Sequence, residues 1–281
     1  MKVRTLLLFG LLFLSCNSDR EQKLYSSPSG YNLKEPVRFR VRESMQEISG
    51  IVLNPDEHNI IAINDEEGRV YKIDVAATGP YPSYKFGKNG DYEDICRTDS
   101  GWFVLKSNGS LYQVDGLFTD SVSSTHFKFP KKGKREFETT YYDSLRNSIV
   151  LICKNCKDDK EQGITSAYRF DLATKTFDTA SLYHFNNKEI ANLAGTDMRF
   201  FKPSAAAIHP VEKRLYIIAS VNRLLVIADL EGHIQEAYNL KHRLFPQPEG
   251  LAFHRNGDMY ISNEGDYDGL AHILKFTYKH K

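Results

Sequence analysis

A single all-β domain, a five-bladed β-propeller, is the fold class this sequence predicts. Three observations lead to it. A unit of apolar strand, tight turn and apolar strand recurs at near-constant spacing. Most units carry a third apolar strand downstream. The composition favours sheet over helix, with 17 Phe and 16 Tyr against one Trp and 4 Met.

The repeat is clearest between PEGLAFHRNGDMYIS, from residue 248, and PSAAAIHPVEKRLYIIAS, from residue 203. Placing Glu249 over Ser204 aligns Ala252, Phe253 and His254 with Ala207, Ile208 and His209. Further copies are SGIVLNPDEHNIIAIND from Ser49, YEDICRTDSGWFVLKSNG around Glu93, and FETTYYDSLRNSIVLICKN around Glu138. The register positions Ser49, Glu93, Glu138, Ser204 and Glu249 are spaced by 44, 45, 66 and 45 residues. The third strands read RVYKIDV (69–75), SLYQVDG (110–116), AYRFDLA (167–173), RLLVIADL (223–230) and HILKFTY (272–278). A period of about 45 residues with four short strands per unit is that of a propeller blade.

Five such units account for the chain from residue 37 onward, with one insertion of roughly 21 residues beyond the period of about 45. That insertion divides between loops at 154–164 and 189–201; a sixth blade would have to hide there. Long loops on a β scaffold carry function more often than chance. The last unit ends after its third strand, and VRFRVRE (37–43) alternates like a strand. It is free to close the ring as the missing outer strand, which removes an open edge.

Residues 1–15 lie outside this domain. Lys2 and Arg4 precede a short apolar run ending at Ser15 and Cys16. The run is too short to span a bilayer and reads as a secretory signal. LFLSC resembles a bacterial lipobox, so cleavage before Cys16 and acylation of its thiol are expected, anchoring the chain to an outer or plasma membrane. Residues 16–36 lack periodicity and read as a flexible tether, leaving 37–281 as the propeller, outside the cytoplasm. Net charge is +1 with no long run of one sign, which excludes the electrostatic footprint of a nucleic-acid binder. A monomer is expected.

The segments ESMQEISGIVLNP, AINDEEGRVYKID, DYEDI, EFETTYYD, KPSAAAIHP and QPEGLAFHRNGDMYISNE together resemble the SdiA-regulated family of bacterial envelope proteins. Related propellers of the NHL type share the PEG-like blade starts. The resemblance spans roughly residues 37–278 and implies a five-bladed propeller that binds calcium, without an established enzymatic activity.

The first strand of each blade lines a propeller's central channel, so residues in register form a ring. Here Glu93, Glu138 and Glu249 share that ring with Ser49 and Ser204, and Glu47 lies two residues before Ser49 on the same strand face. Carboxylates converging on a narrow opening repel unless a cation or protons intervene. Hard oxygen donors suit Ca2+, and the lack of clustered His or Cys argues against zinc. The candidate metal ligands are therefore Glu47, Glu93, Glu138 and Glu249. Alternatively, each Glu accepts hydrogen bonds from the neighbouring blade and only holds its turn.

A second register, where the second strands end, holds Asn64-Asp65, Cys153, Ser220 and Asn263-Glu264. A ligand pocket there would use Asp65, Lys106 and Glu264. The acidic run NEGDYD (263–268) lacks the calcium-loop pattern. Cys153 and Cys156 lack the second ligand pair that zinc requires and read as a local disulfide or as two loop thiols. His209 and His254 read as turn residues. No nucleophile–base motif is present in the sequence. Two functions follow: a calcium-containing module that binds a protein or small molecule, and, as the alternative, a hydrolase or lactonase using the channel cation as Lewis acid.

Overall fold

Short apolar runs joined by tight turns pair with their neighbours in sequence, and the computed structural model builds five antiparallel sheets from them. The structure describes residues 25–54, 58–77, 79–131, 133–265 and 269–280. The signal at 1–15, Cys16 and the first part of the tether lie outside the described residues.

Strand β1 (Val37–Arg40) opens the chain and is used last. Blade one follows with β2 (Ile48–Leu53), β3 (Ile60–Asn64), β4 (Arg69–Ile73) and β5 (Ser83–Lys85). Blade two is β6 (Tyr92–Thr98), β7 (Gly101–Lys106), β8 (Leu111–Asp115) and β9 (Ser123–Phe127). Blade three contains β10 (Phe137–Asp143), β11 (Ser148–Cys153), β12 (Ile164–Asp171), β13 (Thr176–Phe177) and β14 (Tyr183–Asn186). Blade four runs β15 (Ala205–Ile208), β16 (Leu215–Ala219), β17 (Leu224–Ala228) and β18 (Ile234–Asn239). Blade five has β19 (Pro248–Phe253), β20 (Met259–Asn263) and β21 (His272–Phe276). Strand β1 pairs antiparallel with β21, Val37 facing Lys275 and Arg40 facing His272, and supplies the fourth strand. The ring is closed by the N-terminal strand, and no sixth sheet lies among the described residues.

Each junction between blades is filled by one cluster of buried side chains. Ile61, Ile63 and Val70 of blade one meet Tyr92, Ile95 and Val104 of blade two. Phe103 and Leu105 of blade two meet Phe137, Ile149 and Phe170 of blade three. The last junction joins Ile273 of blade five to Ile51 and Ala62 of blade one. Strands buried on both faces read as continuous apolar runs such as LYIIA (215–219), located by their length and the turn residues that bound them.

Hydrogen bonds near the channel tie the inner strands together. Ser49 Oγ donates to the Glu93 carbonyl, Ser204 Oγ to the Pro248 carbonyl at 2.8 Å, and Ser262 Oγ to the Ser49 carbonyl at 2.9 Å. Buried Asp94 accepts from the Ile95 N–H at 2.8 Å and, across the junction, from the Thr140 N–H at 2.7 Å. Such close approach excludes side chains at two positions. A Cβ on Gly50 would lie 2.6 Å from Asp94 Cα, and one on Gly250 would lie 2.6 Å from the Ser49 carbonyl oxygen. The glycine of the PEG blade start is there so that blades five and one can touch.

Two expectations need correction. The insertion is not loop throughout: its first part holds helix α1 (Lys157–Gln162), and its second overlaps helix α2 (Asn187–Ala194), which follows an extra strand, β14. Asn186 caps α2 by accepting from the Lys188 and Glu189 N–H groups, and Gly195 ends it at φ 62°. The described part of the expected tether, 25–36, is docked on the body rather than free. Leu33 is buried against blades four and five, and Tyr31, 8% exposed, packs on His209, Tyr216 and Tyr278. The Tyr31 hydroxyl donates to the Gly257 carbonyl at 2.5 Å and meets His209 Nε2 at 2.7 Å. His209 Nδ1 accepts from the Val211 and Glu212 N–H groups, which assigns the remaining proton to Nε2. Burial holds this imidazole down to about 4, so it is neutral and acts as a turn residue.

Replacing Tyr31 by Ala removes a buried ring and leaves the His209 donor unmatched. The expected loss of unfolding free energy is about 3 kcal/mol, read by denaturant titration, with Tyr31→Phe costing about 1 kcal/mol. An unchanged midpoint for Tyr31→Ala would show that 25–36 is not part of the folded body.

Candidate functional site

At the start of four of the five inner strands the ladder slips. The pairing shifts between Tyr92 and Asp94, between Phe137 and Thr139, between Pro248 and Gly250, and between Ile48 and Ile51. The residues left out of the ladder are Glu93, Glu138, Glu249 and Ser49 with Gly50. A bulge leaves one residue unpaired and re-aims its side chain, here into the opening of the channel. The repeated Glu is therefore a consequence of a repeated bulge.

The opening is a cavity of about 420 Å³ lined by Ser49, Asp65, Asp91, Glu93, Ser107, Asn108, Lys134, Arg135, Glu136, Glu138, Lys154, Gln247, Glu249 and Glu264. Three tiers of register-equivalent residues build it. The bulge residues form one tier. Two residues before the four bulge positions, just ahead of their strands, stand Glu47, Asp91, Glu136 and Gln247. The third tier follows the second strands: Asp65, Ser107, Lys154, Ser220 and Glu264, one residue past Asn64, Lys106, Cys153, Ala219 and Asn263. The ladder continues through these tiers. The N–H groups of Asp65, Ser107, Lys154 and Glu264 donate to the carbonyls of Glu47, Asp91, Glu136 and Gln247 at 3.4, 3.0, 2.9 and 3.0 Å.

Of the residues expected from sequence, the cavity brings together Glu93, Glu138, Glu249, Asp65 and Glu264. Glu47 joins them through a tight group: one carboxylate oxygen each from Glu47, Asp65 and Glu264 lie within 4.8 Å of one another. Lys106 is not brought in. Its ammonium lies 5.4 Å from the centre of the Tyr92 ring, because adjacent strand residues face opposite sides. Its neighbour Ser107 takes the channel position and donates to Asp91 Oδ2. Lys154, Asp91, Glu136 and Arg135 were not singled out from sequence as site residues. The first three share registers with Asp65 or Glu47, and that spacing was the signal available for them.

Lys154 is the cation of the cluster. Its ammonium pairs with Glu138 Oε1 and stands 3.9 Å from Glu136 Oε1. Asn155 Nδ2 also donates to Glu136 at 3.0 Å. Cys153 and Cys156 are joined in a disulfide that brackets Lys154 and Asn155, so of the two options, local disulfide or loop thiols, the structure has the first. Among the described residues, none pairs with the acids of the other half of the opening in this way. Burial, with Glu249, Asp65, Glu47 and Glu93 around it, pushes Glu264 up to about 9, and Gln247 donates to its Oε2. Burial and the nearby Asp91 and Glu249 push Glu93 up to about 8 against the pull of Lys154. Burial raises Glu249 to about 7, opposed by Lys154 and by a hydrogen bond from Ser220. Asp65 rises to about 6 through burial and the charges of Glu47 and Glu66. Asp65 Oδ1 and Glu138 Oε2 are buried without a hydrogen-bond partner among the described residues. Unpaired buried acceptors beside like charges suit a multivalent cation with several oxygen sites to fill.

The sequence profile named SdiA-regulated matches residues 30–267. The chain belongs to the SdiA-regulated family. No curated protein matches it. Among solved structures, the glutaminyl cyclase of Myxococcus xanthus superposes with a TM-score of 0.59 at 9% identity, over 87% of this chain and 98% of that one. A luciferin-regenerating enzyme superposes at 0.49 and 12% identity, over 86% of this chain and 95% of its own. The calcium-binding protein regucalcin from Agrobacterium tumefaciens str. C58 superposes at 0.49 and 12% identity, over 90% of this chain and 96% of its own. At 9% identity the cyclase likeness concerns the fold alone. The fold sets the positions of the SdiA-regulated tiers; the residues on them decide the chemistry.

The raised carboxylates couple stability to pH. Each binds its proton more tightly folded than unfolded, so without a cation stability is fully present below the unfolded carboxylate range. It is lost as pH rises through the folded values near 6 to 9. Metal-free protein should therefore melt at a higher temperature near pH 5.5 than near pH 8.5, about the two ends of that window. A melting temperature that rises across the same window would contradict the reading of a crowded, uncompensated cluster.

Proposed function

We propose that this protein is a cell-envelope lipoprotein whose propeller holds calcium at the channel opening and uses that end of the ring to bind a ligand or partner. One observation carries the reading. Lys154 compensates the Glu138 side of the cluster, whereas Glu47, Asp65 and Glu264 crowd together with no cation among the described residues lining the cavity beside them. Oxygen-only donors fit Ca2+, which accepts carboxylates and waters in a flexible shell. Glu47, Asp65 and Glu264 would hold it, with Glu93 and Glu249 facing it from the inner strands. The ion would supply positive charge beside Asp65 and Glu264, and so reverse the sign of that side of the opening. A ligand would then meet a cation backed by a rigid ring rather than a mobile loop.

The anchor rests on the LFLSC segment and on Cys16. Acylation there would fix the propeller to a membrane from its N-terminal side. Labelling cells with palmitate, with Cys16→Ala as control, should mark the wild-type chain and leave the variant unlabelled. Equal labelling of both would remove the anchor from this account.

For the ion, calorimetric titration of chelator-treated protein with calcium should show one site. Asp65→Asn combined with Glu264→Gln should weaken it by about tenfold or more, while Lys106→Ala should leave it unchanged. Undiminished calcium affinity in the double variant would place the ion elsewhere.

A further inference from the structure

Arg135 lines the same cavity, just ahead of β10, and nothing in the cation reading uses it. Its side chain is only 10% exposed. Nη2 donates to Asp158 Oδ2 at 2.9 Å, but Nε and Nη1 are buried with no hydrogen-bond partner among the described residues. A guanidinium is an acceptor-free group with five donors in a planar fork, and its charge cannot be discarded by deprotonation. Leaving two of its nitrogens buried and unmatched is unfavourable unless something with oxygens meets them. Lys134 stands beside it on the exposed side of the opening.

We propose that Arg135 is the anion-recognition group of this opening, and that the ligand carries a carboxylate or phosphate oxyanion. The inference rests on the cation reading, because the carboxylate tiers by themselves repel an anion. A bound divalent ion reverses the local sign and leaves Arg135 and Lys134 on one wall and the ion on another. A cavity of about 420 Å³ has room for a small oxyanion or for the charged end of a larger molecule. Cation and anion then bind with positive coupling, each raising the affinity for the other by the same factor.

The test titrates the full-length chain with inorganic phosphate and, separately, with succinate, in calcium and again in chelator. The wild-type protein should bind at least one of the two in calcium and lose it in chelator. Arg135→Gln should weaken that binding by about tenfold or more while calcium affinity stays within about threefold. Should Arg135→Gln not fold, Arg135→Lys keeps the charge, loses the fork and should weaken the anion with calcium binding intact. Preference for phosphate assigns a phosphate ester; preference for succinate assigns a carboxylate ligand. Calcium binding without either anion, or an anion affinity unaffected by the Arg135 variants, overturns this inference and leaves the calcium site standing. Failure of wild-type protein to bind calcium defeats the underlying reading and this inference with it.

Discussion

Closing a ring of five sheets brings the same position of every blade to one opening, and the chemistry of this molecule depends on that convergence. Residues separated by about forty-five positions in sequence become neighbours around the channel. The blades approach so closely that Gly50 and Gly250 have no space for a Cβ, and the inner strands slip by a bulge where they meet. Each bulge turns one side chain inward. When three of those side chains are Glu and the tiers above and below add Asp65, Glu47 and Glu264, charge accumulates around one opening. Burial then raises Asp65, Glu93, Glu249 and Glu264, and Lys154 answers only part of the cluster.

Asymmetry within the pseudo-symmetric ring gives the opening its character. Blade three contributes Glu136, Glu138, Lys154 and Arg135, and its inserted α1 carries the Asp158 that meets Arg135. Blades one and five contribute Asp65, Glu249 and Glu264, with Glu47 grouped beside them, and no base from those blades lines the cavity. One wall of the cavity is self-neutralised, and on the other the charged side chains are all acidic. The disulfide between Cys153 and Cys156 brackets Lys154 on the neutralised wall, which keeps the internal cation with blade three.

Much of this was legible before the structure. The five registers, the blade count, the closing strand and the Glu93, Glu138, Glu249 ring follow from a period that sequence displays directly. The bulges do not, because a strand with an extra residue still reads as an apolar run. That is why Lys106 stood in for Ser107: a one-residue displacement exchanges the channel face for the face against Tyr92. Lys154 drew no attention in the sequence, although it occupies the blade-three position equivalent to Asp65 and Glu264. Tyr31 and Leu33 offered no periodic pattern, and their burial is tertiary, set by a pocket between blades four and five. Arg135 gave no signal at all, since its importance lies in partners it lacks.

The central claim is that the uncompensated acidic wall, rather than the lysine-paired one, holds a divalent cation. A crystal structure of the full-length chain grown with calcium, with the ion located by anomalous scattering, tests it most directly. The account predicts one ion with oxygens of Asp65 and Glu264 in its shell, at about 2.3–2.6 Å. An ion held instead by Glu138 with Lys154 displaced, or a calcium-saturated crystal with no ion against Asp65 and Glu264, would contradict it.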